Sequence, residues 1–161
     1  MAKTYRGEGT IMDFPGVAQT GVTITAGTLV AIPSTNVVTP ITAAAITAVA
    51  ESSAFAGIIA ETLTGPRTGV SIYTKGVFML RTTATITGVI NIGEPVWAAG
   101  PDVVRTYQDD NSGTALTGRA PIGICVGFPG AVHATGVGVN LYVKIFGNRT
   151  LPILTSVGGP D

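Results

Sequence analysis

The sequence predicts an all-β chain: a compact, pseudo-duplicated β-barrel or sandwich with extended N- and C-terminal arms. Three observations lead there. The chain of 161 residues contains 24 Thr, 22 Gly and 10 Pro; Thr, with Val and Ile, fits a pleated sheet, while Gly and Pro punctuate it. The stretches "GVSIYTKG" (69–76) and "GVNLYVKIFG" (138–147) write one phrase twice, using two of the four Tyr and two of the three Lys. Further matches then surround each copy in the same order.

The elements follow from that order. "AGTLVAI" (26–32) matches "IGEPVWA" (92–98), and "FAGIIAE" (55–61) matches "PIGICVG" (121–127). Gly27 to Gly57 and Gly93 to Gly123 are both 30 residues. Two related β units, about 20–90 and 91–147, result. Two copies cannot stack into an open solenoid, which needs at least three, so both halves share one domain spanning 17–147.

The repeated phrase is a core strand used once per half. Val70, Ile72 and Thr74 alternate with Ser71, Tyr73 and Lys75, and Val139, Leu141, Val143 and Ile145 alternate with Asn140, Tyr142 and Lys144. The Tyr and Lys residues then lie on an outer face or at an interface, with the Lys stems along the sheet. Turns are expected at "TGPRTG" (64–69), "AGPD" (99–102), "DDNSG" (109–113) and "FPGA" (128–131). "PITAAAITAVAE" (40–51) is the one candidate helix, favoured by its alanines and opposed by its Thr and Ile.

Residues 1–16 end at Pro15-Gly16 and read as an N-terminal arm, and 148–161 read as a C-terminal tail. The simpler reading of the N-terminal segment is a first strand of the body.

Composition narrows the function. Charged residues are 11% of the chain and net charge is zero, against about 25% charged in ordinary soluble domains. No basic field is present to hold phosphates, which argues against nucleic acid as a partner. Such a surface invites association, so much of it is expected to be covered. The start "MAKTYRGEGT" lacks the apolar core of a signal peptide, and no 18-residue apolar run occurs. Cytoplasmic synthesis and no membrane contact are expected.

Catalytic constellations are missing from the sequence. His133 is the only histidine, in the loop "GAVHATG", and reads as solvated. Cys125, the single cysteine, sits in the apolar run "PIGICVGF" and reads as a small buried hydrophobe. Asp109, Asp110 and Asn111 lack the spacing and terminal Glu of a calcium loop and read as a turn. No serine-elbow, Walker or dinucleotide motif occurs. The expectation is a non-enzyme with no catalytic residue, cofactor or metal.

Four segments carry a family resemblance: the start "MAKTYRGEG", the step "GEPVWAAG", then "PIGICVGF", and the closing strand "VNLYVKIFGN". Over residues 1–148 the chain resembles bacteriophage capsid decoration, or cement, proteins of the lambda-type head decoration fold. Members similarly open Met-Ala-Lys-x-Tyr, place Gly-x-Pro-Val-aromatic midway, and end on an apolar strand capped by Gly-Asn. The resemblance implies a homotrimer on the outer surface of the virion, clamping neighbouring major capsid subunits. It also implies an N-terminal arm that adds a strand to the shell. The tail "TLPILTSVGGPD" extends past the usual ending.

On that reading Tyr5, Ile11, Met12 and Phe14 are the arm's anchors, and Trp97, Phe128 and Tyr142 are candidate buried or interface aromatics. One arm with about five backbone hydrogen bonds of ~1 kcal/mol each is offset by ordering about ten residues. Three arms on one trimer raise avidity by about 10²–10⁴. Two alternatives stay open: another phage β module, such as a tail or baseplate part or a host-binding fibre domain, and a small β-barrel enzyme or ligand-binding domain.

Overall fold

The structure is a computed structural model describing residues 3–4, 10–18, 20–32, 37–41, 55–82, 85–108, 121–130 and 136–146. In chain order its strands are β1 (Lys3–Thr4), β2 (Thr10–Ala18), β3 (Thr23–Ile24), β4 (Leu29–Ala31), β5 (Val37–Pro40), β6 (Phe55–Ile59) and β7 (Leu63–Thr64). They continue with β8 (Arg67–Thr82), β9 (Thr85–Ile86), β10 (Pro95–Ala98), β11 (Val103–Arg105), β12 (Gly123–Gly127), β13 (Gly136–Val137) and β14 (Asn140–Phe146). No helix occurs among the described residues. The fold is all-β, as predicted. The candidate helix at 40–51 falls mostly outside the described residues; Pro40 closes β5.

Pairing closes two five-stranded rings that share β8. The first runs β2–β5–β4–β6–β8 and back to β2. The second runs β8–β11–β10–β12–β14 and back to β8. Each contains one parallel contact, β2 with β5 and β11 with β8, and antiparallel contacts elsewhere. Closure removes the edges that an open sheet of strands this short would present.

The duplication holds down to individual hydrogen bonds. Gly27 N–H donates to Ile59 C=O at 2.9 Å, and Gly93 N–H donates to Cys125 C=O at 2.7 Å. Ile59 N–H donates to Thr28 C=O at 2.9 Å, and Cys125 N–H donates to Glu94 C=O at 2.8 Å. Each member lies 66 residues from its counterpart. Gly27 (φ 92°) and Gly93 (φ 95°) take the same left-handed conformation, one that β-carbons disfavour.

The shared strand sets the boundary between units. β8 buries Val70 and Ile72 in one apolar cluster and Phe78 and Leu80 in another. Gly76 (φ 138°) marks the passage between them. The two clusters therefore meet inside a continuous strand. The smaller cluster fills the first ring with Val30, Val38, Ala56, Ile59, Val70 and Ile72. The larger fills the second with Val96, Val104, Cys125, Leu141 and Val143, and also takes in Leu29, Phe55 and Ile58 from the first unit.

The N-terminal segment requires a correction. Thr10–Ala18 is a strand of the first ring, with Ile11, Met12 and Phe14 registered on Tyr73, Ile72 and Val70. Pro15-Gly16 lies within it, where the register shifts between Phe14 and Val17. A proline lacks the N–H a ladder needs, and a bulge accommodates it without ending the strand. For Thr10–Phe14, the alternative of a first body strand describes the structure.

Candidate interaction surface

Alternation in the second ring leaves one outer face, on which apolar residues lie among exposed Asn140, Lys144, Lys75 and Arg81. In β14, Leu141, Val143 and Ile145 are buried while Tyr142 is half-buried and Lys144 and Phe146 are exposed. The ladder extends this outer row across four strands: Pro95 opposite Ile124, Ile124 opposite Lys144, Lys144 opposite Val77. Pro95, Ile124 and Val77 are half-buried, and Lys144 supplies the row's one charge. The neighbouring row places Tyr142 between Gly127 and Met79. At the end of the sheet Phe146 is 38% exposed.

Tyr142 packs over Gly127, where an added β-carbon would stand in ordinary van der Waals contact, 3.5 Å from Tyr142 Cδ2. A bulge between Cys125 and Gly127 sets this meeting, since an extra residue bends the strand and re-aims its neighbours.

Two positions of the corresponding row in the first unit are covered within the chain, while Tyr73 beside them is half-buried. Leu29 and Ile58, counterparts of Pro95 and Ile124, are 0% and 1% exposed in the larger cluster. Near the second unit's face, the turn after β9 exposes Ile92 (70%) and Val89 (47%). A polar clasp holds that turn: Glu94 Oε1 accepts from Asn91 Nδ2 at 3.0 Å and from Gln108 Nε2 at 3.1 Å. Ile92 and Val89 carried no pattern that singled them out in the sequence; only the turn's placement exposes them.

The aromatics divide. Trp97 is 4% exposed and packs edge-on to Tyr107, with ring centroids 4.7 Å apart. It is buried within the chain, one of the two readings its sequence context offered. Tyr107, 55% exposed, is the part of that pair open to contact. Phe128 is partly buried against the larger cluster, and Tyr142 lies on the outer face. Tyr5, His133, Asp109, Asp110 and Asn111, together with the segment 148–161, lie outside the described residues.

Cys125 is fully buried. Burial raises its thiol pKa, the hydrogen bond to Gly127 C=O (3.6 Å) works the other way, and the Glu94 carboxylate adds to the rise. Such a thiol is a poor nucleophile.

The turn 99–102 bridges the units, Pro101 C=O accepting from Leu29 N–H at 2.6 Å. The counterpart of Leu29 is Pro95, which has no N–H, so this bond cannot recur. Beside it a cavity of about 470 Å³ is lined by Thr23–Thr28, Pro40, Pro101 and Asp102. Among the described residues no group of three or more His, Cys, Asp or Glu is placed to hold a metal. No family model matches the chain, and no curated protein or solved structure matches it.

Proposed function

We propose that the protein is a structural component of a phage head, binding the capsid's outer surface as a homotrimer and clamping neighbouring major capsid subunits. The observation that carries this reading is the half-exposed apolar face Pro95–Ile124–Val77–Tyr142–Phe146 of the second ring. A chain with 11% charged residues and no net charge stays dispersed poorly unless such a face is covered. Closed cyclic association is the usual way identical chains cover one. The four segments resembling decoration proteins point to the head as the setting. Ile11, Met12 and Phe14 are paired to β8 within the first ring, so the reading rests on the outer face and not on a free arm.

The test is cosedimentation with undecorated expanded heads of the phage that encodes the chain, with wild type and an Ile124→Lys/Phe146→Lys variant. Wild type should bind saturably and at three-fold positions by electron microscopy. The variant should fold, remain monomeric and fail to bind. Wild type that ignores heads and localises to tails or cells overturns the reading.

A further inference from the structure

Where β8 pairs with β14, the outer positions carry three cations and no carboxylate. Lys75 lies opposite Phe146, Lys144 opposite Val77, and Arg81 opposite Asn140. All three cations are exposed, while the alternate residues Phe78, Leu80, Leu141 and Val143 are buried. Met79 and Tyr142, opposite one another and half-buried, fill the stretch between Lys144 and Arg81. The register makes Lys75 and Lys144 diagonal neighbours, about 7–8 Å apart, within reach of long side chains. Like charges so placed repel. Among the described residues neither lysine has a hydrogen-bond or ion-pair partner to offset this.

Arg81 is held in place. Its Nε donates to Gly138 C=O at 3.1 Å, and its guanidinium lies so close over Gly138 that a β-carbon there would overlap it. Gly138 also takes φ 71°, so conformation and space both require glycine at this position. The anchor uses only the Nε donor; the N–H groups on the two Nη atoms have no partner among the described residues. A guanidinium fixed through Nε and open at Nη presents the fork that a carboxylate accepts with two parallel hydrogen bonds.

A second copy does not supply the matching charge. Among the described acidic side chains, Glu61 pairs with Arg67, Glu94 accepts from Asn91 and Gln108, and Asp102 is engaged as well. Two copies meeting through this same patch would set cation against cation, which is costly at an interface. Nor does the patch suit nucleic acid. Lys75 and Arg81 are six residues apart, about 20 Å along the strand, and over that length a duplex carries a charge every ~1.7 Å. We propose that the patch docks an acidic surface of a different protein, one carboxylate seated on Arg81 and others beside Lys75 and Lys144. The proposal rests on the outer face being the protein's contact surface, and adds the charge of what meets it.

The test titrates poly-L-glutamate into the full-length protein at low salt and follows backbone amide shifts by NMR. Wild type should bind with shifts centred on β8 and β14, and about 0.5 M NaCl should release the polymer by screening. Lys144→Glu should weaken binding about tenfold or more, the loss of a charge-assisted contact. It should leave Tm unchanged or raise it, because an opposite-charge diagonal with Lys75 replaces a like-charge one. Arg81→Lys keeps the charge, loses the fork and should also bind more weakly. No binding by wild type, or binding that neither variant alters, overturns the proposal. So does tighter binding of duplex DNA or phosphatidylglycerol vesicles at the same patch. With undecorated heads, wild-type binding that ignores both salt and Lys144→Glu overturns it and leaves the head reading standing. Wild type that ignores heads yet binds poly-L-glutamate through the patch overturns the head reading and supports this one.

Discussion

Gly57 lies opposite Val30 and Gly123 lies opposite Val96, one pairing made twice, 66 residues apart. A β-carbon on Gly57 would overlap the Tyr73 carbonyl, and one on Gly123 would overlap the Lys144 carbonyl. Tyr73 and Lys144 belong to the two copies of the repeated phrase. The glycines let β6 and β12 lie close against β8 and β14, and this closes each ring.

Gly57→Ala and Gly123→Ala should therefore each destabilise the fold by at least about 2 kcal/mol, since backbone carbonyls cannot step aside as flexible side chains can. Gly57 adds strain from its φ of 149°. Gly130→Ala, with nothing within 4 Å of the added carbon, should be neutral. Urea unfolding of the three variants checks the ordering.

Thr82 is 2% exposed, and its Oγ1 accepts from Val139 N–H at 2.9 Å. Thr82→Val preserves shape and leaves a buried donor without its acceptor, at a cost of about 1–3 kcal/mol. Thr82→Ser should retain the bond and lose less. For a chain of this size each kcal/mol lowers Tm by about 2–4 °C, which calorimetry resolves.

Trp97 is the only tryptophan, so its fluorescence reports one site. Tyr107→Ala removes its edge-on neighbour and should red-shift the emission of the folded protein and increase acrylamide quenching. The loss in stability should be about 1 kcal/mol, in the range of an aromatic pair. Unchanged emission would mean that other groups cover the indole.

The raised thiol pKa of Cys125 sets a pH dependence. The folded chain holds the proton at pH values where the unfolded chain has released it, so the unfolded state gains as pH rises. This contribution is fully present below the ordinary thiol pKa and is lost as pH climbs through the raised one. Wild type should show a steeper alkaline loss of stability than Cys125→Ala, measured by denaturant titration from about pH 7 to pH 10. The native thiol should also resist alkylation until denaturant is added.

Much of the architecture was legible in the chain. The alternation of "VSIYTK" and "VNLYVKIF" identified the buried face of β8 and β14, because a strand's side chains can only alternate. The ordered matches around Gly27, Gly57, Gly93 and Gly123 identified a duplicated β unit, because steric demands on glycine leave a mark that survives in sequence. The interaction surface was legible only in part. Tyr142 was assigned to an outer or interface position from its alternation, and the structure places it on the outer face. Trp97 was not distinguished from it, because burial of an outward-facing residue depends on Tyr107, ten positions away and brought back by the hairpin of β10 and β11.

Composition and periodicity by themselves determined that this chain is all-β, poor in charge and built from two related units, because those properties depend on local geometry and on counts. Only the tertiary structure decided that the units share one long strand and that Thr10–Ala18 completes the first ring. It also decided that Leu29 and Ile58 are buried where their counterparts Pro95 and Ile124 are left half-buried. The physical reason is that ring closure and coverage depend on pairings between distant residues. β8 offers two edges along sixteen residues, and nothing local to "RTGVSIYTKGVFMLRT" states which segment will take each part of them.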